Sequence, residues 1–449
     1  MMRRKSGFTA VFGTVLTGFL ALPAPVSAQD SDLNAVRRQI EALKADYEGK
    51  IRDLEQRLSK TESNTAKIEA KTETLAAKPA SQPDTKGSSG FNPQISAVLN
   101  GGYSHFSDDP AGRARIPGFV SAPEASLGDR GFSIAESELQ FKANVDQALS
   151  AQLTLAISGE NEVEVEEAFI ESLSLPLGLT AKGGRFLSGI GYLNQRHVHE
   201  WEFIDAPLPY VAFLGNQYRD DGVQLRWLAP TDMFLEFGGE LFRGNNFPGA
   251  NTSHGKGAYS TFVRFGDDIG ASSAWQAGLS YLRTEARGRD LGSSDDDGAE
   301  VFRGFSNLGI ASLVYKWAPD GNPTERNLRL SGEYFYQRES GSFDNTPADR
   351  DNDGWYLQGV YQFMPQWKAG LRYDRLAADE SIDPGLAGTA LDSRGGNPQR
   401  ASALLEYDTS EFGRIRLQYS RDDSLVGEPN NIIRLQYTVL FGPHAAHGF

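Results

Sequence analysis

The sequence predicts an all-β fold, an antiparallel transmembrane β-barrel of about sixteen strands, carrying an N-terminal α-helical coiled coil. Three observations predict it. From Gln94 onward, apolar and polar residues alternate with a two-residue period. The connections between alternating segments are short on one side and long on the other, which separates periplasmic turns from extracellular loops. The first residues have the layout of an export signal.

Composition fits such a barrel. Only 39% of the 449 residues are hydrophobic, yet Phe, Tyr and Trp make up 11% and there are 48 glycines. Alternation of lipid-facing and lumen-facing residues hides the membrane face from an average. No apolar run after the N-terminus is long enough for a spanning helix, which excludes a helical membrane protein. There is no cysteine, so disulfides, thiolate catalysis and cysteine metal sites are excluded. Net charge is −15, and residues 91–449 hold 30 Lys and Arg against 48 Asp and Glu. A body this acidic argues against a nucleic-acid partner.

Residues 1–28 read as a secretory signal peptide. Arg3, Arg4 and Lys5 form its basic start, residues 8–22 its apolar core, and Val26-Ser27-Ala28 its cleavage site. Residues 31–77 carry a heptad seam through Leu33, Val36, Ile40, Leu43, Tyr47, Ile51, Leu54 and Leu58, continued by Thr61, Thr65, Ile68, Thr72 and Leu75. At 1.5 Å per residue this helix is roughly 70 Å long. So thin an apolar stripe is stable only when packed against another helix, so the expectation is a periplasmic coiled coil. Residues 78–93, with Pro79, Pro83 and a Gly-Ser-Ser-Gly run, are a flexible linker.

Residues 94–449 form the barrel. Ile433, Leu435, Tyr437, Val439 and Phe441 oppose Arg434, Gln436 and Thr438; Ile415, Leu417 and Tyr419 oppose Arg414, Arg416 and Gln418. Sixteen such segments start near Gln94, Ser133, Ala151, Val163, Leu179, Gly222, Met233, Gly257, Trp275, Asn307, Asn327, Gly354, Gln366, Ala401, Arg414 and Asn431. Tyr315, Trp317, Tyr361 and Trp367 lie toward strand ends, as interfacial girdles do. An even strand count puts both ends of the barrel in the periplasm. The terminal Phe449, or the apolar series ending at Phe441, suits recognition by the outer-membrane assembly machinery. The acidic tips at 295–297 and 349–353 are either solvated or bridged by calcium to lipopolysaccharide.

On the lumen side the alternation places Arg226, Arg264, Arg329, Arg372, Arg416 and Arg434, with Glu162, Glu164, Glu166, Glu236, Glu240 and Glu333 on other strands. Two readings fit. Opposed basic and acidic rows create a transverse field across a pore, or the charges pair locally in a polar lumen. The acidic excess favours cations. The long connection 188–221 is far more apolar than the other loops, so it is expected to fold inward and narrow the pore. Its candidate constriction residues are Tyr192, Arg196, His197, His199, Glu200, Trp201, Glu202 and Asp205. Imidazole with carboxylate suits zinc, so His197, His199 and Glu200 are candidate ligands of a divalent cation; a hydrogen-bonded constriction loop is the preferred reading of the same residues. There is no G-x-S-x-G, H-E-x-x-H or phosphate-cradling glycine motif. An enzyme is therefore not expected, although a barrel-wall hydrolase built from scattered residues needs no local motif.

The order of signal, coiled coil, linker and sixteen strands resembles Gram-negative porins of the phosphate-selective porin O/P-like group. More closely, the loop 192–205, the stretch Gln217-Tyr218-Arg219-Asp220-Asp221-Gly222-Val223-Gln224-Leu225-Arg226-Trp227-Leu228-Ala229-Pro230-Thr231-Asp232 and the tail His444-Ala445-Ala446-His447-Gly448-Phe449 look like a proteobacterial group labelled zinc-regulated TonB-dependent outer-membrane receptor. That resemblance implies zinc-linked uptake in the outer membrane. The functional expectation is a homotrimeric porin for small hydrophilic solutes or ions; the alternative is a structural tether holding a stalk toward the cell wall.

Overall fold

The chain is described by a computed structural model covering residues 93–108, 116–119, 128, 130–157, 162–250, 257–290, 301–380, 382–425 and 429–442. The expected signal peptide and coiled coil, all but the last residue of the linker, the acidic tip at 295–297 and the tail with His444, His447 and Phe449 lie outside these residues.

Sixteen antiparallel strands form the wall. They are β1 (Gln94–Phe106), β2 (Ser137–Asn144), β3 (Leu149–Ile157), β4 (Val163–Ser172), β5 (Leu179–Leu187), β6 (Arg219–Leu228), β7 (Phe234–Phe242) and β8 (Ala258–Ile269). There follow β9 (Ser273–Asp290), β10 (Val301–Trp317), β11 (Asn327–Phe343), β12 (Arg350–Met364), β13 (Trp367–Ala377), β14 (Gln399–Ser410), β15 (Gly413–Asp423) and β16 (Asn430–Phe441). Two short segments, Gly131–Ser133 and Thr346–Pro347, pair beside β1 and β11. Each strand pairs with its sequence neighbour, and β1 closes the ring on β16 from Ala97 opposite Phe441 to Phe106 opposite Ile432. Closure leaves no free edge, which a chain needs when lipid offers the backbone no hydrogen bonds.

The alternation that identifies the strands also sets their faces, and it is inverted relative to a water-soluble protein. Leu371 is 71% exposed and Leu357 59%, whereas Arg416 and Gln418 are 1% exposed. Apolar groups face outward and charges inward, the arrangement a hydrocarbon surrounding selects. Aromatic pairs mark the two rims. Trp227–Phe237, Phe265–Trp275 and Trp367–Tyr407 lie near the short turns, and Tyr259–Tyr281 and Trp355–Tyr373 near the long loops. The ends of β1 and β16 sit on the short-turn side.

The outward face makes a direct prediction. Leu371 lies near the middle of β13 with its side chain outward. Leu371→Arg is expected to destabilise the lipid-embedded barrel by about 2–4 kcal/mol, as a cation at the bilayer midplane does. Denaturant titration in vesicles checks this; the same substitution at the exposed rim position Leu177 is expected to cost about 1 kcal/mol or less.

Candidate functional site

The segment between β5 and β6 does not extend from the rim. It folds into the barrel and packs against inward-facing wall side chains, including Leu282, Ile310, Phe335, Tyr356 and Leu376. The sequence dictates this: Ile190, Tyr192, Leu193, Trp201, Phe203, Leu208, Tyr210 and Phe213 are all at or below 3% exposure. Burying a large apolar side chain is worth about 1.5–3 kcal/mol. The segment contains one α-helix, α1 (Leu208–Leu214), buried along its length and stopped by Gly215 at φ 60°. Asn194 ties the two ends of the segment together. Its amide donates to the carbonyls of Ser188 (2.8 Å) and Tyr218 (2.9 Å) and accepts from the Tyr218 N–H (2.6 Å).

Charged wall residues, both acids and bases, hold the segment in place. Glu333 on β11 accepts from the backbone N–H of Tyr192 (2.7 Å) and from the hydroxyls of Tyr210 and Tyr356 (both 2.7 Å). The chain reaches it through Gly191 at φ 63°, where an added Cβ would lie 2.8 Å from Glu333 Oε1. Glu240 on β7 accepts from the Gly189 N–H (2.8 Å) and from Ser188 and Ser260. On the basic side, the Asp205 carboxylate receives Arg372 (2.7 Å), Arg400 (3.0 Å), Arg434 (3.0 Å) and Gln418 (2.8 Å). Burial opposes ionisation of Asp205, but Arg372, Arg434 and Arg400 hold its carboxyl well below the usual carboxylate range. Arg416 donates to the carbonyls of Trp201 (2.7 Å) and Glu202 (3.2 Å), and Arg329 pairs with Glu202 at 2.5 Å.

Beside β2 and β4 two stacked imidazoles, His197 and His199, sit 5.6 Å apart. His197 Nδ1 lies 3.3 Å from Glu138 and 3.2 Å from Glu166, and its Nε2 lies 3.2 Å from Glu167. His199 Nδ1 lies 2.7 Å from Glu138. Burial alone would lower the pKa of His197; Glu166 and Glu138, with hydrogen bonds donated by the ring to Glu166 and Glu167, hold it well above the ordinary imidazole value. Glu136, just before β2, is pushed up to about 7 by burial and by Glu166. Adjacent residues Glu166 and Glu167 both face inward because a bulge interrupts the β3–β4 register, pairing Thr154 with Glu167 and Leu155 with Val165. A bulge re-aims one side chain in this way.

The constriction candidates therefore divide. Arg196, His199, Glu200 and Glu202 border a cavity of about 730 Å³ that also touches Lys316, Arg329, Lys368, Glu406 and Arg414. Tyr192, Trp201 and Asp205 are instead parts of the seat, and His197 faces wall carboxylates rather than the barrel axis. The proposed cation set of His197, His199 and Glu200 is not brought together as such. Glu200 pairs with Arg196 at 3.6 Å, and the carboxylates beside the imidazoles come from β2 and β4. The lumen-side charges follow the reading of local pairing. Arg329, Arg372, Arg416, Arg434 and Glu333 hold the inserted segment, while Arg226 and Arg264 pair with Glu236 at 3.3 and 2.7 Å. A chain segment that fills part of the lumen removes the water that would have kept these groups apart, so they pair.

Sequence reasoning did not single out Arg400, Gln418, Glu138 or Glu167. Arg400 and Gln418 follow the same alternation as their neighbours, so their inward face was readable but their common partner was not. The adjacent pair Glu166-Glu167 in an otherwise alternating strand was the available signal of the bulge.

No family model matches the chain. An uncharacterised protein of Aquifex aeolicus (strain VF5) is 30% identical over 344 residues, covering 71% of this chain and 70% of that protein. The chain belongs to one family with it. Among solved structures, the loop L8 deletion mutant of OmpT, an outer membrane protein of Vibrio cholerae, is similar with a TM-score of 0.52 and 13% identity, over 78% of this chain and 99% of that one. The outer membrane channel DcaP of Acinetobacter baumannii is similar with a TM-score of 0.52 and 11% identity, over 80% of this chain and all of that one. The in-vitro folded OmpT in its trimer form scores 0.50 at 12% identity, over 78% and 99%. At such identities the likeness is one of fold, a closed antiparallel sixteen-strand barrel shared with these outer-membrane proteins.

Proposed function

We propose that this family member is a passive outer-membrane channel for small hydrophilic solutes and ions, divalent metal ions such as zinc among them. The observation that carries the reading is the polar cavity of about 730 Å³ beside the inserted segment, inside a closed barrel whose outer face is apolar. A sixteen-strand ring is wide enough to leave a water-filled passage, and the inserted segment decides how much of it remains. DcaP, an outer membrane channel, and OmpT in its trimer form support the same reading at the level of fold, and we take the working unit to be a homotrimer. Residues 1–28 are then a removed export signal, and residues 31–77 a periplasmic coiled coil joined to the barrel by the linker 78–93. Outer-membrane lipids, lipopolysaccharide and the outer-membrane assembly machinery are the partners this reading requires.

Charge near the cavity is mixed: Arg196, Lys316, Arg329, Lys368 and Arg414 against Glu200, Glu202, Asp268, Glu406, Asp408 and Glu411. Selectivity is therefore set weakly by the cavity and more by the body, where Asp and Glu exceed Lys and Arg. The expected outcome in a potassium chloride gradient is a reversal potential showing modest cation preference. A clear anion preference would mean that the arginines of β11 to β16 dominate the path. Swelling of liposomes in sugars of increasing size would give the size limit.

A further inference from the structure

We propose that His197, Glu138 and Glu166 form a binding site for one first-row divalent transition-metal ion that fastens the inserted segment to the wall. The inference stands apart from the channel reading, since it concerns what holds the segment. Nδ1 of His197 and one oxygen each of Glu138 and Glu166 lie within 4.8 Å of one another. Ligand atoms placed tetrahedrally ~2.1 Å from an ion lie ~3.4 Å apart, and the Nδ1 to oxygen separations here are 3.3 and 3.2 Å. The surroundings orient these groups as they do around bound metals. Glu167 Oε2, 3.2 Å from His197 Nε2, accepts that proton and leaves Nδ1 as the donor atom. His199 Nδ1, 2.7 Å from the second oxygen of Glu138, fixes that carboxylate. Such carboxylate–imidazole pairs set tautomer and ring angle at metal centres.

A second observation points to a ligand. Glu166 is fully buried, and its Oε1 has no hydrogen-bond partner among the described residues. An uncompensated buried carboxylate oxygen is costly, and the strand spends a bulge to bring this one inward beside Glu167. An ion held by Glu138, Glu166 and His197 would neutralise the carboxylates and leave a fourth position for water. One imidazole with two carboxylates suits zinc, manganese, iron or cobalt better than calcium, which prefers six to eight oxygens.

The test uses the full chain with His444→Ala and His447→Ala, so that the tail imidazoles do not compete. The folded, chelator-treated protein is titrated with zinc chloride by calorimetry, with folding verified by heat-dependent gel mobility. One zinc per chain is expected, calcium not displacing it. Glu166→Gln and His197→Gln are expected to weaken binding at least 100-fold, Glu167→Gln about 10–100-fold, and Glu200→Gln not at all. Absence of stoichiometric binding by the folded parent, or undiminished affinity in folded His197→Gln, overturns the proposal. If a variant does not fold, X-ray absorption on the zinc-loaded parent decides. One imidazole nitrogen among oxygens at ~2.0–2.1 Å supports the site, and a shell of oxygens alone overturns it.

Discussion

Replacing residues 190–217 by a three-residue Gly-Ser-Gly link is expected to raise single-channel conductance severalfold without loss of the barrel. The segment fills part of the lumen. Tyr192, Trp201, Tyr210 and Phe213 lie wholly inside it, packed on wall residues from β9 to β13. Its removal leaves the β5–β6 ladder from Leu179 opposite Trp227 to Leu187 opposite Arg219, and the further hydrogen bond from the Ser188 N–H to Tyr218 O at 3.0 Å. A short link can therefore close the hairpin. Arg372, Arg400, Arg416 and Arg434 lose the partners that the segment supplies, while Arg372 keeps Asp374, Arg400 keeps Asp422 and Arg416 keeps Gln436; they gain water in a widened lumen, so the basic wall becomes more accessible and preference shifts toward anions. Unchanged conductance in the folded deletion protein would mean that ions do not pass beside the segment.

Asp205→Leu is the second large effect. It removes the one carboxylate shared by Arg372, Arg400 and Arg434 and leaves three buried guanidinium groups facing an apolar side chain. Breaking a buried ionic cluster by deleting one partner costs about 3–5 kcal/mol. The wall does not depend on this cluster, so the loss falls on the inserted segment. Rapid current flicker and protease cleavage within 188–218 are expected, with denaturant stability of the strands little changed. Protonation has the same sign as the mutation. The folded carboxyl lies below its unfolded value, so its contribution is complete above about pH 4 and is lost only as pH falls through the depressed folded value. The intact segment should thus stay seated at pH 4. An Asp205→Leu protein as quiet and as protease-resistant as the parent would show that packing alone holds the segment.

The wall was legible because its information is local. Period-two alternation fixes a strand and its faces within ten residues, and the sixteen expected starts fall within six residues of the observed ones, from Gln94 to Asn430. The inward fold of 188–221 was legible for a similar reason: no exposed loop keeps Tyr192, Trp201, Phe203, Tyr210 and Phe213 together in water. What the sequence did not disclose is which wall groups meet that segment. Asp205 and Arg434 are 229 positions apart, and His197 and Glu138 about 60; such meetings depend on ring closure and on the path of one irregular segment. Hence Arg372, Arg416 and Arg434 read as pore lining, where the structure makes them anchors, and Glu200 stood in for Glu138 and Glu166 beside the imidazoles. The bulge at Glu166 defeats alternation itself, since it turns two consecutive residues the same way.

The central claim is that water and ions cross this barrel past the inserted segment. Incorporation of the purified full chain into planar lipid bilayers tests it most directly. Discrete, reproducible conductance steps are the predicted result, in groups of three if the working unit is a trimer. A protein verified as folded and inserted that stays electrically silent would contradict the claim and leave a barrel whose task is to hold its N-terminal segment at the membrane.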